Sequence, residues 1–121
     1  MSIKKVLVVD DSSTELKRLE GIVSGAGYVT ISATNGSDAI EMAKANKPDA
    51  ILMDIIMDDM NGFQACRALT SDDQTKDIPV VLVSSKKEKT DKMWGEEQGA
   101  RGFVVKPYTE DQILDQLKNL N

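Results

Sequence analysis

Four short runs of the chain are apolar without interruption: Val6 to Val9, Ala50 to Met53, Val80 to Val83 and Phe103 to Val105. Their length and β-rich composition predict strands buried on both faces. A fifth segment, Val29-Thr30-Ile31-Ser32-Ala33, alternates apolar and polar residues. That pattern predicts a strand with one wetter face, at the edge of a sheet.

Between these runs the apolar residues recur at helical spacing. Leu16, Leu19, Val23 and Ala26 follow the cap candidates Ser12 and Ser13 and precede Gly27, which predicts a helix over 13–26. Ala39, Ile40 and Ala43 repeat the spacing after Asn35-Gly36-Ser37, in a helix that ends before Pro48; Phe63, Cys66 and Leu69 mark a third. Ile113, Leu114, Leu117 and Leu120 mark the last, opened by Thr109 with Gln112 placed for a capping box. The segment from Lys86 to Gln98 predicts the weakest helix. Its large apolar residues are Met93 and Trp94, and it contains Gly95, so its docking should be comparatively marginal.

The order is β-α five times over, with no linker, repeat or low-complexity stretch. Such alternation predicts an α/β fold, a parallel sheet covered by helices on both faces with right-handed crossovers. Ligands then bind beyond the carboxyl ends of the strands, near the switch point in strand order.

Length and composition narrow the function. The 121 residues fit one domain, 1–121, with no room for an output module. The formal net charge is −5 and there is no histidine, so Ser-His and Cys-His catalysis are excluded and acid–base or metal chemistry must rest on carboxylates and lysines. The acidic balance argues against direct DNA binding. A lone cysteine, Cys66, excludes an internal disulfide and suits a reducing compartment. No apolar run approaches membrane-spanning length, and five residues before Val6 leave no space for a leader, so a soluble, cytoplasmic protein is expected.

The candidate chemistry lies where the buried runs end. The first ends in Asp10-Asp11, the third strand in Asp54, the fourth in Ser84-Ser85 and the fifth in Lys106-Pro107. Carboxylates, a hydroxyl and an ammonium gathered at one sheet edge suit a hard divalent cation such as Mg²⁺. With the cation, Lys106 would draw negative charge off an incoming phosphoryl group, and Asp54 is then the natural nucleophile. Taken singly, a strand-end Asp-Asp pair also suits a turn or helix cap, and Lys-Pro a turn.

Asp10-Asp11, Asp54, Ser84 and Lys106-Pro107, at these spacings across the whole chain, resemble the receiver domain of bacterial two-component response regulators. The resemblance implies a five-stranded doubly wound flavodoxin/CheY-like sheet of strand order 2-1-3-4-5. It implies Asp54 as phosphoacceptor, and Mg²⁺ held by Asp10, Asp11, Asp54 and the Ile56 backbone carbonyl. Ser84 and Lys106 would then face the phosphoryl oxygens, with a cis Lys106-Pro107 bond. In the family the Ser84 hydroxyl moves toward the phosphate and an aromatic residue turns inward behind it. That residue is Phe103 here, which fills space without a hydroxyl; plain core packing is its other reading. The lack of an output domain is similar to single-domain CheY-like regulators. "NGFQACRALT" and "TDKMWGEEQGARGFVVKP" are closer to the receivers of twitching motility. This implies a monomer phosphorylated by a CheA-like histidine kinase or its phosphotransfer domain, with an output on type IV pili.

Some residues depart from the pattern. The family's Met-Pro after the acceptor is Met57-Asp58 here, beside Asp59. A looser loop and stronger cation capture are one reading, a solvated acidic loop the other. Ile56 and Lys86 stand where the family tunes hydrolysis of the acyl phosphate. Trp94 reads as partner-facing or as groove packing, and Cys66 as a small core residue. Three other functions fit parts of the sequence. A degenerate receiver would act as a phosphorylation-independent interaction module. A phosphohydrolase with an aspartyl intermediate commonly needs a second Asp at position 56, where Ile stands. A flavin module would need a phosphate loop after the first strand.

Overall fold

The structure is a computed structural model that describes residues 2–120. The strands are β1 (Lys5–Val9), β2 (Val29–Ala33), β3 (Ala50–Met53), β4 (Val80–Ser84) and β5 (Gly102–Val105). They alternate with helices α1 (Ser13–Gly25), α2 (Gly36–Asn46), α3 (Gly62–Ser71), α4 (Lys89–Glu97) and α5 (Glu110–Asn119). All strand pairs are parallel, and the sheet order is β2-β1-β3-β4-β5. The fold class and strand order expected from the sequence are both present.

Side chains alternate across the sheet and so build two cores. Val6, Val8, Leu52, Val81 and Val83 pack with Leu16, Leu19, Val23, Ile113 and Leu117 of α1 and α5. Leu7, Val9, Ile51, Met53 and Leu82 pack with Ala39, Ala43, Ala65, Cys66 and Leu69 of α2 and α3. This double coverage is why four of the five strands read as uninterrupted apolar runs. The alternating one, β2, lies at the edge, with Val29 exposed.

Local signals set the helix ends. Ser12 caps α1, and Thr109 and Gln112 form the expected capping box on α5. α1 stops at Gly25, one residue before the expected Ala26, and Gly27 takes the left-handed φ of +98° that turns the chain toward β2. α4 begins at Lys89, because the Asp91 carboxylate accepts from the Glu88 amide and fixes the entry to the helix there. Gly95 is the buried residue of α4, and a Cβ on it would stand 3.0 Å from Leu82 Cδ1. Its role is therefore close approach of α4 to the sheet, whereas its residue type suggested only a weakened helix.

Register positions the site. Val9 pairs with Met53, so β1 and β3 end level and hand over Asp10 and Asp54 at the same height. The Asp54 amide donates to the Val9 carbonyl at 3.0 Å, and the Lys106 amide to the Ser84 carbonyl at 2.9 Å. Four strand ends thereby open onto one edge.

Candidate functional site

Asp10 and Asp54 are nearly buried, with relative exposures of 3% and 7%, while Asp11 is exposed. Such carboxylates need fixed donors. Asp10 Oδ1 accepts from the Ser12 amide at 3.0 Å, and Asp54 Oδ1 from the Ile55 amide at 2.7 Å. Lys106 Nζ serves the other oxygens, 2.9 Å from Asp10 Oδ2 and 3.4 Å from Asp54 Oδ2. Glu15 Oε2, from the first turn of α1, stands 3.8 Å from the same ammonium. The Lys106-Pro107 bond is cis.

The electrostatics follow from that geometry. Burial raises the Asp54 carboxyl above its ordinary range; Lys106 opposes the rise and Asp10 adds to it. Burial works against the Lys106 charge, yet the hydrogen bond to Asp10 and the attraction of Asp54, Asp10 and Glu15 outweigh it and hold the ammonium above its usual value.

Oxygens of Asp10, Asp11 and Asp54 all lie within 4.8 Å of one another. Three carboxylates against one shared ammonium leave excess negative charge on hard oxygen donors, a set that fits a small divalent cation. The remaining expected residues lie on β4, on β5 and in the loop after β3. Ser84 is fully buried at the end of β4, its Oγ accepting from the Lys86 amide at 3.4 Å. Phe103 is half-buried on β5, paired with Leu82 and beside Gly95 of α4. Ile56 is exposed next to the triad.

The loop between β3 and α3 is better anchored than its missing proline suggested. Asp59 accepts from both the Ser37 hydroxyl and amide of α2, at 2.6 and 3.3 Å. Met57 is buried, and the Gly62 amide closes the loop onto the Ile55 carbonyl at 2.7 Å. Asp58 and Asp59 are exposed and lie outside the acidic triad.

Sequence reading missed a second support. Arg18 of α1 donates to the Tyr108 carbonyl at 3.0 Å and stacks over its ring at 5.0 Å, pinning the loop that begins at Lys106. Tyr108 itself is buried. The partners are 90 positions apart, and no local spacing reports such a contact. Elsewhere, burial pushes the Cys66 thiol up to about 12, and the residue packs in the core as expected. Trp94 is 60% exposed while its ring meets Phe63 edge-on at 6.2 Å, so one edge of the ring is packed and the rest is open to solvent. Among the described residues no helix is long and apolar enough to cross a membrane.

Comparison with known proteins bears on the whole arrangement. Residues 6–118 match the response regulator receiver domain. Protein PilH of Pseudomonas aeruginosa is 46% identical over 110 residues, 91% of each chain. The response regulator PleD of Caulobacter vibrioides is 35% identical over 96% of this chain, which spans 26% of that longer protein. Among solved structures, chemotaxis protein CheY4 of Vibrio cholerae superposes with a TM-score of 0.92 at 29% identity, over 99% of this chain and all of that one. With the acidic triad and its lysine in place at the strand ends, the chain belongs to the response regulator receiver domain family, CheY-like in fold and a phosphoacceptor rather than a catalytic enzyme.

Proposed function

We propose that this chain, as a single receiver domain over 1–121, is a phosphorylation-dependent signalling switch in a chemotaxis-like pathway acting on type IV pili and twitching motility. The observation that carries the switch is Lys106 bonded to both Asp10 and Asp54 beside the third carboxylate, Asp11. The pathway rests on the likeness to PilH, which suggests pilus-related signalling. The phosphodonor would be a CheA-like histidine kinase or its phosphotransfer domain, in the cytoplasm. The output would be a protein target reached by a monomer without direct DNA contact.

In this reading Asp54 is the phosphoacceptor. Its Oδ1 is held by the Ile55 amide, and Oδ2 faces Lys106. A carboxylate oxygen attacks the phosphorus, the new P–O bond forms as the P–N bond of the donor phosphohistidine breaks, and the departing imidazole keeps the electron pair and takes a proton from solvent. Asp10, Asp11 and Asp54, with the Ile56 carbonyl, would hold Mg²⁺. When bound, the ion would neutralise charge on the transferring group. Lys106 stabilises the phosphoryl oxygens, and the Ser84 hydroxyl moves to bond one of them. Phe103 then turns into the space behind Ser84. The change reaches α4, where Met93 and Trp94 are exposed for a partner.

The test is intact-protein mass spectrometry after incubation with Mg²⁺ and a small-molecule phosphodonor. One phosphoryl adduct is expected, absent from Asp54→Asn and from the metal-free control. No adduct with a small donor or with a purified kinase phosphotransfer domain would favour a phosphorylation-independent interaction module instead.

A further inference from the structure

We propose that Ser37 and Asp59 are a positioning pair that stiffens the β3–α3 loop in place of the family's proline, and so sets the affinity of the acidic pocket for its divalent cation. The proposal rests on the reading of that pocket as a cation site.

The loop from Ile55 to Asn61 joins Asp54 to α3, and it includes the Ile56 carbonyl assigned above to the cation. A proline in such a loop fixes one backbone torsion and removes conformations from the ensemble. Asp58 stands there instead, exposed, and supplies neither restraint. The restraint comes from outside the loop. One oxygen of Asp59 accepts from two donors of Ser37, the hydroxyl at 2.6 Å and the backbone amide at 3.3 Å.

Several features distinguish this tie from an ordinary surface contact, whose worth is small. Ser37 lies in the first turn of α2, where backbone amides lack helical acceptors and the helix dipole favours an anion. The acceptor is charged, which strengthens both bonds. The backbones also touch beneath it: a Cβ on Gly36 would stand 2.9 Å from Met60 Cβ and 3.0 Å from the Met60 carbonyl oxygen, so glycine lets α2 press on the loop beside Asp59. The loop is thus held by the Ile55 amide on Asp54, by α2 at Asp59 and Met60, and by the Gly62 amide on Ile55. A carbonyl that must present itself to an ion binds more tightly when its peptide does not have to be ordered first. Asp59 itself is engaged with α2 and lies outside the triad, so its part is mechanical and not ligation.

The experiment compares the wild type with Ser37→Ala, Ser37→Thr, Asp59→Asn and Asp58→Asn. Ser37→Ala removes the hydroxyl without altering charge, Ser37→Thr restores it, and Asp58→Asn removes a loop charge that makes no tie. Amide hydrogen exchange of residues 56–61 is measured in metal-free protein, and Mg²⁺ affinity by calorimetric titration. Ser37→Ala and Asp59→Asn should each speed exchange and raise the Mg²⁺ Kd by about threefold to tenfold, the range for loss of one ordinary hydrogen bond, since solvent exposure offsets the gain from the charged acceptor. Ser37→Thr and Asp58→Asn should stay within about twofold of wild type on the same scale. Unchanged exchange in Ser37→Ala would overturn the proposal, as would faster exchange with unchanged Mg²⁺ affinity, which would leave the tie purely structural. Neither readout needs phosphorylation. A wild type that binds Mg²⁺ and takes no phosphoryl group would therefore count against the switch and not against the pair.

Discussion

Lys106 donates to Asp10 at 2.9 Å across 96 positions of sequence, and the same ammonium reaches Asp54 at 3.4 Å. One lysine therefore compensates two nearly buried carboxylates. Removing it leaves both without their cation, the costly half of breaking a buried pair. Lys106→Met should destabilise the metal-free protein by about 2 kcal/mol. It should slow phosphorylation of Asp54 by roughly a hundredfold, since the donor is then missing where charge develops. Mg²⁺ should restore more stability to the variant than it adds to the wild type, because the pocket has become more negative. Urea denaturation with and without Mg²⁺ reads the first and third effects, and timed mass spectrometry the second.

The raised Asp54 carboxyl makes a pH prediction with a definite sign. Burial lifts its folded-state pKa above 3.8, so the protonated form favours folding; that contribution is present below 3.8 and is lost as pH rises through the folded value. At neutral pH the ionised Asp54 is a net cost in the metal-free protein. Asp54→Asn should therefore melt several degrees higher than wild type in chelator at neutral pH. The gap should close as pH falls through the raised pKa. Mg²⁺ should narrow the gap from the other side, by stabilising the wild type more than the variant. Melting curves across acid and neutral pH decide it, and a gap that widens in acid would reject the assignment.

Gly62 opens α3 directly against the end of β3 that hands over Asp54. A Cβ there would collide with the Asp54 carbonyl oxygen and stand 2.7 Å from Ile55 Cα. Both are backbone atoms, so neither can swing aside. Gly62→Ala should cost about 2 kcal/mol, as overpacking of a tight site does, and should weaken Mg²⁺ binding by moving the peptide after Asp54. Chemical denaturation and a Mg²⁺ titration together test this; an alanine tolerated in both would mean that the helix can shift freely.

What the sequence disclosed, and what it withheld, divides along physical lines. Uninterrupted runs such as Val6 to Val9 are legible because a doubly covered strand has no polar face, and their ends disclose Asp10, Asp54 and Lys106 because parallel strands deliver those ends to one edge. Strand order came from family resemblance, since alternation alone is compatible with several orders. Thr109 with Gln112 was readable as a capping box. Asn61 with Gln64 follows the same three-residue rule and forms one too, so that signal was present and unused. Arg18 with Tyr108 and Ser37 with Asp59 left no such trace, because partners 90 and 22 positions apart obey no local period. Gly95 was half legible for a related reason: α4 docks through little buried surface, as its sparse apolar residues imply, but the close approach to Leu82 that the glycine allows exists only in the packed structure.

Phosphorylation at the pocket should be felt at α4 through Ser84. Ser84 is fully buried, and its hydroxyl accepts from the Lys86 amide at 3.4 Å, a long bond contributing little. Ser84→Ala should therefore change stability by less than about 1 kcal/mol. Beyond Ser84 the proposed route would be steric. Phe103 pairs across the sheet with Leu82 and borders Gly95, the neighbour of Trp94, whose ring rests edge-on against Phe63. Inward rotation of Phe103 would empty the space under Gly95 and let α4 settle, altering the exposure of Trp94. The only tryptophan in the chain would then report on the proposed switch. Phosphorylation of wild type should change acrylamide quenching of its fluorescence. Ser84→Ala should still accept the phosphoryl group on Asp54, yet lose most of that change. An equal change in both proteins would remove Ser84 from the relay; no phosphorylation of the alanine variant would instead assign the hydroxyl to the transfer step.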